Sequence, residues 1–308
     1  MISIMTILGL LALLALASVM LVTAAPQWVI AKGLAHACRK AGLERKKLDV
    51  DGSVVAYLDG GSGEPVVMLH GFGGDKENFI PFASALNRNR RIVIPDLYDF
   101  GESSLPTSAK HDLASETRRI LALLDTLNID RAHFVGNSMG GQLAIYISAH
   151  FPDRVRSLCL ISSAGLWHGP QTKLIQLVRQ TGKNPLVVRS VEDFKRSMEL
   201  GMLNPPKLPS SLLKKLAKPR IAHAETEERL FQMFLDNPVD ALLEQIKVPT
   251  LIIFGAHDTI IDPATAEYMQ KKLDDSEIAI IPDAAHVAMY ERPTETARRY
   301  EAFLEKHG

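Results

Sequence analysis

The sequence predicts an α/β protein: a mostly parallel sheet with helices on both faces, one helical insertion, and an N-terminal transmembrane helix. Three observations predict it. From about residue 65 onward, short apolar strand-like runs alternate with helix-like runs, the pattern of a parallel sheet buried on both faces. One stretch, 166–247, breaks that alternation and offers no strand-like run. Residues 2–25 are almost wholly apolar, and no Asp, Glu, Lys or Arg precedes Lys32.

Taken in order, the first element is the apolar run. Roughly 20 such residues span the hydrocarbon core of a bilayer, so 1–27 reads as an uncleaved anchor. A cleaved signal peptide competes, since Val22-Thr23-Ala24 offers small residues at a cleavage position. Against it stand the missing basic n-region and a run longer than the usual ~7–15 residues. Lys32, Arg39, Lys40, Arg45, Lys46 and Lys47 follow, opposed only by Glu44. Residues 28–46 therefore read as a basic juxtamembrane helix, with Trp28 as an interfacial anchor. The positive-inside rule would put the body on the cytoplasmic face, of the inner membrane in a bacterium. The alternative is a solvated helix whose basic residues meet lipid headgroups without fixing topology. Gly9 and the small alanines would let the anchor self-associate into a homodimer.

The body divides into a core, 47–165 and 248–308, and the insertion 166–247. Residues 47–50 and 53–58 read as two strands joined at Asp51-Gly52, a hairpin turn signal. Short apolar runs at 65–69, 91–95, 132–135, 157–162, 250–254 and 277–281 read as buried strands. Leu121, Leu123, Leu124 and Leu127 give 113–127 a helical apolar face. Helices are also expected at 142–150 and at 293–306, the latter with Pro293 at its start. The insertion reads as a helical lid. Its Met198, Met202, Leu203, Leu230, Phe231, Met233 and Phe234 suit a small core of their own, with a minority lining a substrate channel.

Composition narrows the chemistry. Thirty-five Lys and Arg balance thirty-five Asp and Glu, so bulk charge gives no reason to expect nucleic acid. Cys38 and Cys159 form no disulfide framework or metal pattern, and Cys159 reads as an inert core thiol. No His-Glu-x-x-His, Cys-x-x-Cys or calcium loop occurs, and 71–76 lacks the spacing of a phosphate-binding loop. No metal and no cofactor is expected.

Gly136-Asn137-Ser138-Met139-Gly140 lies between the strand-like run 132–135 and the helix-like run 142–150. A Gly-x-Ser-x-Gly turn between strand and helix holds a strained serine clear of the sheet, where a base can activate it. Such a serine needs a base, the base an orienter, and the oxyanion donors. His286 follows the strand-like run 277–281 in Asp283-Ala284-Ala285-His286. Asp258 follows 250–254, at the carboxyl end of a strand where α/β sites gather. Asp262 is the rival acid, and His257 reads as a loop residue. Backbone amides of Met139 and of Phe72, in the glycine-rich loop after Leu69, are the candidate oxyanion donors.

Five motifs carry a resemblance. His70-Gly71-Phe72-Gly73-Gly74, Asp96 to Ser103, Gly136 to Gly141, Gly255-x-x-Asp258, and His286 with Glu291-Arg292-Pro293 together resemble the α/β-hydrolase superfamily over about residues 50–308. The chain departs from it at Asp99, where glycine is usual. The resemblance implies a Ser138–His286–Asp258 triad in the family's chain order. Anchor and lid together are similar to the membrane-anchored monoacylglycerol lipase group and to bacterial membrane-bound lysophospholipase and phospholipase A enzymes. The implied activity is serine ester hydrolysis of a membrane-derived acyl lipid through an acyl-enzyme, releasing fatty acid. Two other readings stay open. Gly136 to Gly141 also resembles the carbon–carbon bond hydrolases of aromatic ring-cleavage products, which use the same triad. A non-catalytic lipid- or partner-binding scaffold is the other class.

Overall fold

The computed structural model describes residues 25–86, 89–97, 99–106 and 109–307. Helix α1 (Pro26–Ala41) stops at Gly42, whose φ of 71° lets its N–H cap the last turn. The chain passes directly into β1 (Leu43–Val50), which pairs antiparallel with β2 (Ser53–Gly61) from Leu43 opposite Gly60 to Val50 opposite Ser53. This corrects the juxtamembrane helix read over 28–46: residues 43–46 are strand. The run of basic side chains masked the glycine stop signal. Arg45 and Lys46 form ion pairs with Glu77 and Asp59, at 2.8 and 3.0 Å. Asp51 and Gly52 take φ of 51° and 76°, the left-handed pair that a two-residue hairpin of this twist requires.

Six further strands complete one sheet: β3 (Glu64–Leu69), β4 (Arg90–Pro95), β5 (Ala132–Asn137), β6 (Val155–Ile161), β7 (Thr250–Gly255) and β8 (Ser276–Ile281). Their order is β1-β2-β4-β3-β5-β6-β7-β8. Only the β1–β2 and β2–β4 pairs are antiparallel. Between β6 and β7 the described residues contain no strand, and the α-helices there, joined by loops, are α5 (Lys173–Thr181), α6 (Val191–Gly201), α7 (Ser210–Ala222) and α8 (Ala224–Asp236).

Strand side chains alternate between two apolar layers. Val67 and Leu69 join Phe134, Leu158 and Ile252 beneath Ile120 and Leu124 of α3 (Leu113–Thr126) and Leu143 and Ile147 of α4 (Met139–His150). Val66 and Met68 face the other way. They meet Cys38 of α1, Phe82 of α2 (Ile80–Ala85), and Tyr300 and Phe303 of the last helix, Pro293–His307. Leu230 and Phe234 of α8 belong to the first of these layers. The insertion's separate cluster is smaller than expected: Leu174, Ile175, Val178 and Phe231, closed by Ile260. Cys159 is free and fully buried, and burial pushes its thiol pKa up.

Among the described residues no helix is long and apolar enough to cross a membrane. The anchor and self-association readings fall chiefly on residues 1–24, outside the described residues.

Candidate active site

Ser138 sits between the end of β5 and the start of α4, with φ 53° and ψ −114°. That region costs a non-glycine residue on the order of 1–3 kcal/mol and persists only where surroundings over-determine it. Here they do. The Ser138 amide donates to Ile161 O at 3.0 Å, and its carbonyl accepts from Gln142 N and Ala164 N at 3.1 and 3.0 Å. A Cβ at Gly140 would collide with the Leu69 carbonyl, and one at Gly136 with the Gly140 carbonyl. The two glycines let β3, β5 and α4 close around the serine.

Asp258 and His286 meet. His286 Nδ1 lies 2.9 Å from Asp258 Oδ2, with the carboxylate fully buried. The other oxygen, Oδ1, accepts from the amides of Ile260 and Ile261 at 2.8 and 3.0 Å. These bonds fix the carboxylate and leave Oδ2 for the imidazole. Asp262, the rival acid, accepts instead from Ala264 N at 2.9 Å. His257 is exposed. The main chain around His286 is tied down by two side chains, Asn137 and Glu291, that stand within the sequence motifs but to which the sequence assigned no role. Asn137, the neighbour of Ser138, donates to the carbonyls of His286 and Ile161, both at 3.1 Å. Glu291 accepts from Ala285 N at 2.8 Å, and also from Leu203 N and Asn204 N of the insertion at 2.8 and 3.2 Å.

Met139 opens α4, so its amide is among those a helix leaves without an internal partner. Phe72 lies in the loop after β3. There His70 Nε2 accepts from Leu97 N, and Nδ1 lies 2.9 Å from Gly71 O, the pair of contacts a neutral Nδ1–H tautomer makes. Burial lowers the His70 pKa, which suits that role. The loop's far end is fixed by Lys76, 1% exposed, whose Nζ contacts Asp96 at 2.7 Å and Glu102 at 3.0 Å. Burial alone would lower the Lys76 pKa, but Asp96, Glu77 and Glu102 outweigh it and hold it above the ordinary value. The unusual Asp99 accepts from Leu105 N at 2.7 Å and lies 3.0 Å from His111, so it braces its own loop.

A third contact on the Phe72 loop comes from the insertion. Arg220 of α7 forms two bonds to the buried Glu227 of α8, at 2.7 and 2.8 Å, and donates to Leu186 O at 2.7 Å. Its guanidinium lies 6.0 Å over the Phe72 ring and against Gly73, where a Cβ would collide with it.

Ser138, 8% exposed, lines a cavity of about 690 Å³ including its mouth, together with Phe72 and Met139. Its walls are mainly apolar, supplied by Leu166, Ile175, Leu186, Phe231, Phe234 and Ile260 among others. No Lys or Arg lines it among the described residues. The insertion therefore supplies much of the wall, and the core supplies Ser138.

Residues 64–293 match the family model of the α/β hydrolase fold. Lipase 1 of Psychrobacter immobilis is 35% identical over 86% of this chain and 85% of its own length. Monoacylglycerol lipase ABHD6 of Homo sapiens is 29% identical over 78% of this chain and 74% of its own. Among solved structures, a bacterial membrane phospholipase A superposes with a TM-score of 0.87 at 34% identity, covering 97% of both chains.

Proposed function

The chain belongs to the α/β-hydrolase family, and from that membership we propose that it is a membrane-associated serine ester hydrolase of acyl lipids. Its substrates are monoacylglycerols, lysophospholipids or phospholipids. Ser138 is the nucleophile, His286 the general base, and Asp258 the group that orients and stabilises the imidazolium. The Ser138 oxygen attacks the ester carbonyl while its proton passes to His286. The amides of Met139 and Phe72 hold the tetrahedral oxyanion, each donor typically worth about 3–4 kcal/mol. His286 then gives the proton to the departing glycerol or lysolipid oxygen, and water cleaves the acyl-enzyme by the reverse relay. Residues 166–247 act as a lid that walls the acyl site, and residues 1–27 anchor the protein in the membrane.

One observation carries this reading: a strained serine at a strand–helix elbow opens into an apolar cavity, while the base and acid expected from the sequence meet at 2.9 Å. An apolar wall suits a fatty acyl chain. Among the described residues no lysine or arginine lines that wall, whereas the acid substrates of the carbon–carbon hydrolase reading call for a cation. A binding scaffold has no use for a strained serine or for an imidazole oriented by a buried carboxylate.

The test is a hydrolysis panel of monoacylglycerols, lysophospholipids and diacyl phospholipids on detergent-solubilised full chain, with Ser138→Ala as the blank. Full activity in Ser138→Ala would sink the mechanism. Faster turnover of a vinylogous diketone acid than of any ester would transfer the protein to the carbon–carbon class.

A further inference from the structure

Residues 26–43 and 202–224 lie far apart in the chain, yet neither contains an Asp or Glu. Together they carry Lys32, Arg39, Lys40, Lys207, Lys214, Lys215, Lys218 and Arg220, so the remainder of this neutral chain has net negative charge. The fold unites them: α1 packs against α7. All but Arg220 are exposed, and among the described residues none of those seven makes an ion pair. Trp28, Lys32, His36 and Lys40 recur every fourth residue, which puts them on one face of α1. Trp28 is 51% exposed, with the Lys32 ammonium 5.8 Å from its ring centre.

We propose that this joint face of α1 and α7 docks onto the surface of an anionic phospholipid bilayer. Unpaired lysines near such a surface each add several-fold to binding, within a screening length of about 8 Å at physiological salt. The charge alone would also suit a nucleic acid. Two observations favour lipid: an exposed tryptophan, the residue that settles at the headgroup level, and the uncharged apolar run that leads directly into α1. The inference rests on the reading of the enzyme as a membrane-associated lipid hydrolase and names the surface that faces the membrane. It also explains how docking reaches the site. Helix α7 turns its lysines outward and carries Arg220, which sits over the Phe72 loop, so the helix that docks also touches the loop that lines the acyl cavity.

The test is lysine-acetylation footprinting of the full chain reconstituted in vesicles of phosphatidylcholine alone or with phosphatidylglycerol. Lys207, Lys214, Lys215 and Lys218 are expected to be at least threefold protected only when phosphatidylglycerol is present, and to lose protection in high salt. Exposed Lys110 and Lys271 should react equally in both vesicles. Equal labelling of the α7 lysines in both vesicles overturns the proposal, as does protection by duplex DNA without protection by phosphatidylglycerol. A second variant, Lys214→Glu/Lys215→Glu/Lys218→Glu, should keep turnover of a soluble short-chain ester and lose about tenfold on vesicle-borne lipid. Unchanged turnover on the vesicles counts against docking. Loss of the ester activity in the wild type would instead strike the hydrolase reading, which footprinting does not depend on.

Discussion

The side-chain amide of Asn137 donates to the main-chain carbonyl of His286 at 3.1 Å, so the residue before Ser138 holds the loop that carries His286. A shift of about 1 Å in such a site costs on the order of a hundredfold in rate. Asn137→Ala should therefore lower kcat by 10- to 100-fold with little change in KM, because the cavity wall is untouched. Steady-state kinetics on a short-chain ester checks it. A proportional rise in KM would mean that Asn137 shapes binding instead.

The Asp258–His286 contact at 2.9 Å separates the two candidate acids. Asp258→Asn is expected to cost about 10⁴-fold in kcat, as when a triad aspartate can no longer hold the correct tautomer. Asp262→Asn should fall within a few-fold of wild type. Comparable losses in both would undo the assignment.

Gly140→Ala places a Cβ against the Leu69 carbonyl, which is sheet backbone and cannot yield. The expected result is a loss of about 1–3 kcal/mol in stability, the usual scale of overpacking, and a kcat lowered with it. Urea unfolding and esterase assays on the same preparation read both effects.

Breaking the Arg220–Glu227 pair should both destabilise and misplace. Glu227→Gln leaves a largely buried guanidinium without its counter-ion, a change typically costing about 3–5 kcal/mol. Arg220→Met/Glu227→Leu should recover most of that stability while kcat stays depressed, because the contact over Phe72 is gone. Recovery of both together would reduce the pair to a structural tie.

His133 offers a pH handle. Burial lowers its pKa to about 4, below the unfolded value near 6.5. A lowered value means that its stabilising contribution is complete above pH 6.5 and is lost as pH falls toward 4, roughly 3 kcal/mol in all. Denaturant midpoints should fall across that window, and His133→Gln, which keeps a polar partner for Ser157, should flatten the decline. An unchanged slope would move the titration to another group.

The strands, the elbow at Ser138 and the Ser–Asp–His order were legible in the sequence because each depends on residues close by. Apolar runs bounded by turns identify buried strands, and glycines flanking a serine after such a run identify a strained turn. The same local logic misread residues 43–46, where a row of basic side chains outweighed the stop at Gly42. Strand pairing with β2 decided that segment, and no reading of 28–46 alone contains β2.

Tertiary structure decided what links distant residues. The sheet order sets β7 beside β8, so the loops that follow them bring Asp258 to His286, while bonds within the first loop aim Asp258 at the imidazole and tie Asp262 to Ala264 N. Asn137, Glu291, and Arg220 with Glu227 have ordinary local surroundings, and their partners lie on other elements. The same holds for α7 beside α1. Sequence by itself determined which reactive side chains this chain offers, since a serine in a strained turn, an imidazole and a carboxylate are matters of residue type and local turn. The 2.9 Å contact of Asp258 with His286, and the basic face where α1 meets α7, arise only when the sheet and the insertion pack.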